Sequence, residues 1–430
     1  MKRFNKIKFM IVFMGIGLFI SLPSVSDTQN LTPLEELGKF IMFDKKISLK
    51  NNQSCASCHA PEAGWTGPIP GINLLGTVYF GSDRTKFGDR KPPSAAYATT
   101  SPLFDYDPDE GLFFGGNFWD GRATGWDLGN PAADQARGPF LNPVEQALPD
   151  KAAVVDVVCS SKYAGLFKAV WGPNACDDID DAYDNIARSI AEYEDSIEVN
   201  QFSSKYDLYV AGEVDLTPQE ELGLEIFEVK GQCAACHVLE EINGYENLFT
   251  DYTFDNLGIP KNPLNPVYET NPNFIDYGLG NFLRSLASDD LWRSAPFVSE
   301  NVNMFTDNEL LDLALDNDGK HKVPTLRNVD KRPGKGYVKA FGHNGYFKSL
   351  ESIVHFYNTR DIKPLCEGDY TDKEAMKAGC WPPAEVAENV NDEELGDLEL
   401  TAEEEAALVA FMKTLSDGYK PPKSAQKGKK

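Results

Sequence analysis

Two short stretches, SCASCH at 54–59 and QCAACH at 232–237, repeat one arrangement of side chains: Cys55, Cys58 and His59, then Cys233, Cys236 and His237. Two thiols at that spacing reach the two vinyl groups of one haem. The adjacent histidine turns back to take an axial position on its iron. A zinc site would need further Cys or His ligands close by to complete a tetrahedron. Two copies in one chain, each behind the same helix pattern, predict two covalent c-type haems with His59 and His237 as proximal ligands.

The chain has only five histidines, and the other three, His321, His343 and His355, all lie in the second half. No histidine falls between Ala60 and Leu216. Methionines beyond residue 26 are Met42, Met304, Met376 and Met412. Met42 sits in a helical segment ahead of the first motif, where it is expected to pack. The first iron is therefore expected to have an open or water-filled sixth position, which a reacting haem needs. The second half holds GHNGYFKSLESIVHFYN at 342–358, with His343, His355 and Tyr357. Helical spacing after Leu350 points Ser352, His355 and Tyr357 in different directions, so His355 and Tyr357 cannot share one iron. On the residues alone, Tyr357, His355 and Met304 all stand as sixth ligands of the second iron.

These residues need elements to hold them. LTPLEELGKFIMF at 31–43 precedes the first motif, and LTPQEELGLEIFEV at 216–229 precedes the second. In each, a threonine N-cap, a proline and first-turn glutamates announce a helix. The segment 177–199 reads as a helix with Ala182, Ile186, Ile190 and Tyr193 on one face, and LTAEEEAALVAFMKTL reads as another capped helix. Few period-two strands appear, and 35 glycines and 27 prolines fit long loops between helices. The expected fold is mainly α.

Lys2, Arg3, Lys6 and Lys8, an apolar run from Phe9 to about Leu22 and the small residues Ser24-Val25-Ser26 read as a secretory signal peptide over 1–26. The apolar core is short for a membrane span, so an exported, periplasmic protein without stable membrane insertion is expected. The expected organisation is a first haem domain over 27–200, a linker over 201–215, a second haem domain over 216–420 and a basic tail over 421–430. In an oxidising compartment Cys159, Cys176, Cys366 and Cys380 can form two local bridges, Cys159–Cys176 and Cys366–Cys380. Without the signal, 37 basic residues face 66 acidic ones. That balance argues against nucleic acid and fits simple solubility or a basic protein partner.

Several motifs, in order, resemble the bacterial dihaem cytochrome c peroxidases, and more closely their MauG-like branch: GKFIMFDKKIS before SCASCH, FWDGRA at 118–123, QARGPFLNPVEQA at 135–147, KVPTLRNV at 322–329 and FGHNGYFKSLESIVHFYN at 341–358. The resemblance covers about 31–417. It implies two cytochrome c-like domains and a peroxidase that reacts with hydrogen peroxide. It makes Glu145 the distal acid–base residue over the first haem, with Gln135 and Pro139 lining the same pocket, and Trp119 a relay between the haems. It implies Tyr357, 14 residues after His343, as sixth ligand of the second iron. Arg122 and Arg327 are expected to meet haem propionates. The family's calcium between the domains is in doubt here. Lys91 in RKPPS stands where an asparagine ligand is usual, the other ligands would be carbonyls of Val338 and Ala340, and a lysine cannot ligate calcium. Its ammonium could replace the ion. The electron donor is expected to be an outside protein. The MauG-like features suggest oxidation of a protein side chain such as tryptophan. Detoxification of peroxide with a small cytochrome donor is the close alternative, and a non-enzymatic electron carrier with two six-coordinate haems the distant one.

Overall fold

In the computed structural model the helices that frame the two motifs are α1 (Pro33–Phe43), α2 (Pro131–Leu141), α3 (Lys151–Cys159) and α4 (Ile179–Asp195) in the first half. In the second they are α5 (Lys205–Val210), α6 (Pro218–Glu228), α7 (Leu279–Ser288), α8 (Asp307–Asp316), α9 (Leu350–Thr359) and α10 (Ala402–Lys413). The structure describes residues 30–422 apart from 242, 243 and 246, so the predicted signal peptide and most of the predicted tail lie outside the described residues. From Leu31 onward the chain forms one compact unit.

The two repeated helices begin as their sequences dictate. Thr32 and Thr217 each accept from the backbone N–H three residues on, and Glu35 and Glu220 reach back to the threonine N–H. These capping boxes satisfy donors that a helix start leaves free. The repeat also carries a glycine six residues after each threonine, Gly38 and Gly223. Gly38 lies against α4 so closely that a Cβ would sit 1.8 Å from the Ser189 carbonyl oxygen. Gly223 lies against α10 in the same way, at 2.0 Å from the Ala407 carbonyl oxygen. Each half is thus built on one close helix crossing, α1 on α4 and α6 on α10, and only glycine admits the approach.

Among the described residues the core falls into four apolar clusters. One belongs to the first half and joins Leu37 and Ile41 of α1 to Val154 and Val158 of α3 and Ile186 and Ile190 of α4. One belongs to the second half and joins Phe227, Phe356, Phe411 and Trp381. The other two draw on both halves: Phe104, Phe113 and Trp126 against Phe282, Leu283 and Leu310, and Trp65, Tyr97 and Tyr193 against Leu248 and Tyr252. The predicted helical face of Ala182, Ile186, Ile190 and Tyr193 is buried, as is Met42. The stretch 201–215 contains α5, whose Tyr206 is buried in the second-half cluster.

The strands are short: β1 (Asp105–Asp107) pairs antiparallel with β2 (Leu112–Phe114), and β3 (Phe254–Asp255) with β4 (His321–Lys322). Both expected bridges, Cys159–Cys176 and Cys366–Cys380, are formed. Among the described residues no helix is long and apolar enough to cross a membrane.

Candidate active site

The helix α1 leads into a turn that presents Cys55, Cys58 and His59 to one cavity. His59 Nδ1 lies 3.3 Å from the Trp65 carbonyl oxygen. In the second half His237 Nδ1 lies 2.8 Å from the Phe249 carbonyl oxygen, and its ring lines a second cavity with Cys233 and Cys236. A carbonyl that accepts from Nδ1–H fixes the tautomer and leaves Nε2 as the ligand atom. Burial holds both histidines below their ordinary pKa, His237 at about 4, so both are neutral donors. All four motif cysteines are free, whereas the other four are bridged. Burial pushes the thiols of Cys55, Cys58 and Cys233 up to about 12.

The first cavity gathers the residues picked from the sequence. Gln135 and Ala136 lie one helical turn before Pro139 on α2 and line it with that residue, and Glu145 lines it from the loop that follows. Asn142 Nδ2 donates to Glu145 Oε2 at 2.8 Å. Burial nevertheless raises the Glu145 pKa above the usual carboxylate range. His59 is the only histidine among the lining residues. A second acid escaped the sequence reading. Glu194 on α4 lines the same cavity one turn after Ile190, and burial with no cation beside it pushes its pKa up to about 8. Its only signal was its place on a predicted buried face.

The second cavity is lined by one face of α9, Leu350, Ile353, Val354 and Tyr357, and by Leu408 and Met412 of α10. His355 is on the other face. Its Nδ1 lies 2.9 Å from Glu405 Oε1 of α10 and its Nε2 lies 2.6 Å from Lys363 Nζ, so both nitrogens are taken. Met304 is 64% exposed and outside the cavity. Of the three candidates left open by the residues, Tyr357 alone shares a cavity with His237. Burial and the nearby Cys233, Asp255 and Cys236 raise its phenol pKa above the ordinary value. Met412, a thioether the sequence did not single out, also faces this cavity.

Trp119, Lys91, Ser94 and Lys322 line both cavities, so the two share a wall. The Trp119 indole N–H donates to the Lys91 carbonyl at 2.8 Å, and the Lys322 N–H donates to the Trp119 carbonyl at 2.8 Å. His343 stacks on His321 with ring centroids 3.5 Å apart and planes within 5°. Asp276 lies near both, but Arg90 takes its two carboxylate oxygens at 2.6 Å each, and parallel rings do not aim their lone pairs at one ion. This trio is not a metal site. His343 Nε2 is buried, lines the second cavity and has no protein partner, which suits the acidic edge of a haem.

The Arg327 guanidinium is held by both oxygens of Asp207, at 3.1 and 2.6 Å, and by the Asn247 carbonyl, and the residue lines the second cavity. Arg122 does line the first cavity, but is shared with Asp120 at 2.7 Å. Calcium does not fit at the expected place. The Val338 carbonyl accepts from Asn73 Nδ2, Lys91 Nζ turns to the Pro92 carbonyl, and the Lys339 ammonium stands nearby and is felt electrostatically by Lys91's charge. Two lysine side chains beside that place disfavour a divalent ion there.

The comparisons with known proteins bear on this geometry. The family description "Di-haem cytochrome c peroxidase" matches residues 32–215. The "Methylamine utilization protein MauG" of Paracoccus denitrificans is 32% identical over 413 residues, covering 94% of this chain and 95% of that protein. The chain belongs to the di-haem cytochrome c peroxidase family. The "Cytochrome c551 peroxidase" of Pseudomonas aeruginosa is 30% identical over 47% of this chain and 49% of its own. Among solved structures, the diheme peroxidase BthA from Burkholderia thailandensis aligns with a TM-score of 0.67 at 27% identity, covering 93% of this chain and 89% of that one. The chain is therefore a di-haem peroxidase of the MauG-like branch, with two c-type haems on two cytochrome c-like domains. The free cysteine pairs, the neutral proximal histidines and the unpartnered His343 Nε2 fit those haems.

Proposed function

We propose that this protein is an exported peroxidase in which Cys55, Cys58 and His59 would hold the haem that meets hydrogen peroxide, and Cys233, Cys236, His237 and Tyr357 would hold a second haem that shares the oxidising equivalents. The supporting observation is one cavity that holds His59, Glu145, Gln135 and Pro139 without a second histidine, and shares Trp119 with a cavity that holds His237 and Tyr357. Haem iron, when bound, supplies the redox chemistry. The chain's own residues handle the protons. Glu145 takes the proton from one peroxide oxygen and returns it to the other, which leaves as water. Asn142 orients that carboxylate, and Gln135 and Pro139 on α2 bound the space above it. Trp119 supplies an aromatic path between the cavities. A phenolate from Tyr357 is a hard anionic donor that favours the oxidised metal, whereas a thioether raises the potential. That choice suits storage of oxidising equivalents for a protein side chain such as tryptophan.

An electron paramagnetic resonance spectrum of the ferric holoprotein tests the proposal. One high-spin and one low-spin haem are expected. Two low-spin haems in the resting protein would point instead to an electron carrier. Rapid turnover of peroxide with a small basic cytochrome c as sole donor would favour the detoxifying peroxidase.

A further inference from the structure

Three lysines of the second half reach into the first half and put their ammonium groups on oxygens of carbonyls, hydroxyls and an amide, with Asp330 and Asp372 acting on Lys339 and Lys348 only from beyond hydrogen-bond reach. The Lys339 Nζ, buried at 5% exposure, donates to the carbonyls of Ala63 at 2.9 Å, Asn328 at 2.7 Å and Lys331 at 3.1 Å. The Lys348 Nζ donates to the carbonyls of Asn73 and Leu75 at 2.9 Å, to Thr77 Oγ1 at 3.0 Å and to the Gly345 carbonyl at 2.6 Å. The Lys322 Nζ donates to Ser101 Oγ at 2.6 Å, to Asn117 Oδ1 at 3.3 Å and to the Gly116 carbonyl. An ammonium carries three N–H donors and no acceptor, and each cage offers at least three acceptors. Burial lowers the pKa of all three, Lys322 and Lys348 to about 7, and the charges of Asp330 and Asp372 oppose that at Lys339 and Lys348. Gly64, at φ +74°, clears the way for Lys339: a Cβ there would lie 2.9 Å from the Asn328 oxygen and 3.0 Å from the ammonium.

We propose that Lys322, Lys339 and Lys348 form a clasp of three caged ammoniums that joins the two halves in place of a divalent cation, so that the wall between the haem cavities stands without metal. The cages are made of the same atoms that bind hard cations, backbone and side-chain oxygens, but a tethered ammonium fills each. Lys322 also fixes the loop at Gly116 and Asn117 just ahead of Trp119, and its own N–H holds the Trp119 carbonyl.

The test uses the purified holoprotein. Metal analysis is expected to find no stoichiometric calcium, and prolonged EGTA treatment is expected to leave the spin-state signals of both haems unchanged. One retained calcium per chain, or loss of either signal on chelation, overturns the proposal. Lys339→Met keeps the apolar stem and removes the donors. Hydrogen exchange over residues 60–67 and 326–340 is expected to speed up by about tenfold or more, with both haems still attached and no recovery on adding calcium. Wild-type exchange rates, or recovery with calcium, overturn the clasp. Lys348→Met, read over residues 72–77, repeats the measurement at the second cage should Lys339→Met fail to mature. These readouts do not depend on the peroxide reaction, so the clasp and the proposed function can fail separately.

Discussion

At the scale of single residues, the first cavity places one carboxylate where a proton must move. Glu145→Gln is expected to keep both haems and slow the reaction with peroxide by roughly 10² or more, measured by stopped-flow absorbance. Because burial raises the Glu145 pKa and the carboxylate is the proton acceptor, the wild-type rate should fall as pH drops through a value above the ordinary glutamate range. Glu145→Gln should lose that limb of the profile. A variant with wild-type rate and profile removes Glu145 from the chemistry. For the second haem, Tyr357→Met should stay low-spin and become easier to reduce, since a neutral thioether replaces an anionic oxygen. His355→Ala should leave that haem's spectrum nearly unchanged, because His355 is tied to Glu405 and Lys363 away from the cavity. The reverse pattern in spectroelectrochemistry would overturn the tyrosine assignment. The motif residues were legible because haem attachment fixes type and spacing. Glu194 and Met412 were not, because a buried acid or thioether at helical spacing reads like any core position until the cavity beside it is known.

At the scale of elements, the repeated helices were legible down to their caps, since threonine, proline and glutamate act locally on the first turn. The reason for the glycine inside each repeat was not, because Ser189 and Ala407 are 151 and 184 residues away from Gly38 and Gly223. Gly38→Ala and Gly223→Ala should each force a crossing apart and destabilise the protein by about 3 kcal/mol or more, the upper range for overpacking. Urea unfolding and haem staining of separated tryptic fragments check this. Each substitution should reduce haem attachment in its own half more than in the other. Equal loss in both halves would mean that the crossings are not independent.

At the scale of the whole molecule, the cysteine ledger closes. Eight cysteines divide into four for haem attachment and four in bridges. Denatured holoprotein should therefore show no reactive thiol by alkylation and mass spectrometry, and four after reduction. Four reactive thiols before reduction would mean that the Cys159–Cys176 and Cys366–Cys380 bridges do not form. Mainly helical architecture and two haem motifs could be read from the sequence. The clusters that mix residues from both halves could not, since Phe104 with Phe282 or Trp65 with Leu248 are pairings of high sequence separation that no local pattern records. The same holds for the lysine cages, whose acceptors are backbone atoms and leave no trace in residue type.

The two glycine crossings also set an order in time. The helices α1 and α4 both precede Asn200, so the first half has everything its own crossing needs before α6 has been synthesised. Domains of a growing chain commonly fold as units from the N-terminus. The carbonyl cages at Ala63, Asn73 and Gly116 then belong to the part made first, and the lysines that enter them to the part made last. Docking of the late half then completes each cage: Lys322 enters acceptors already made, whereas Lys339 brings Asn328 and Lys331 with it and Lys348 brings Gly345. An exported fragment ending near residue 200 should accordingly be a folded, single-haem species rather than an unfolded one.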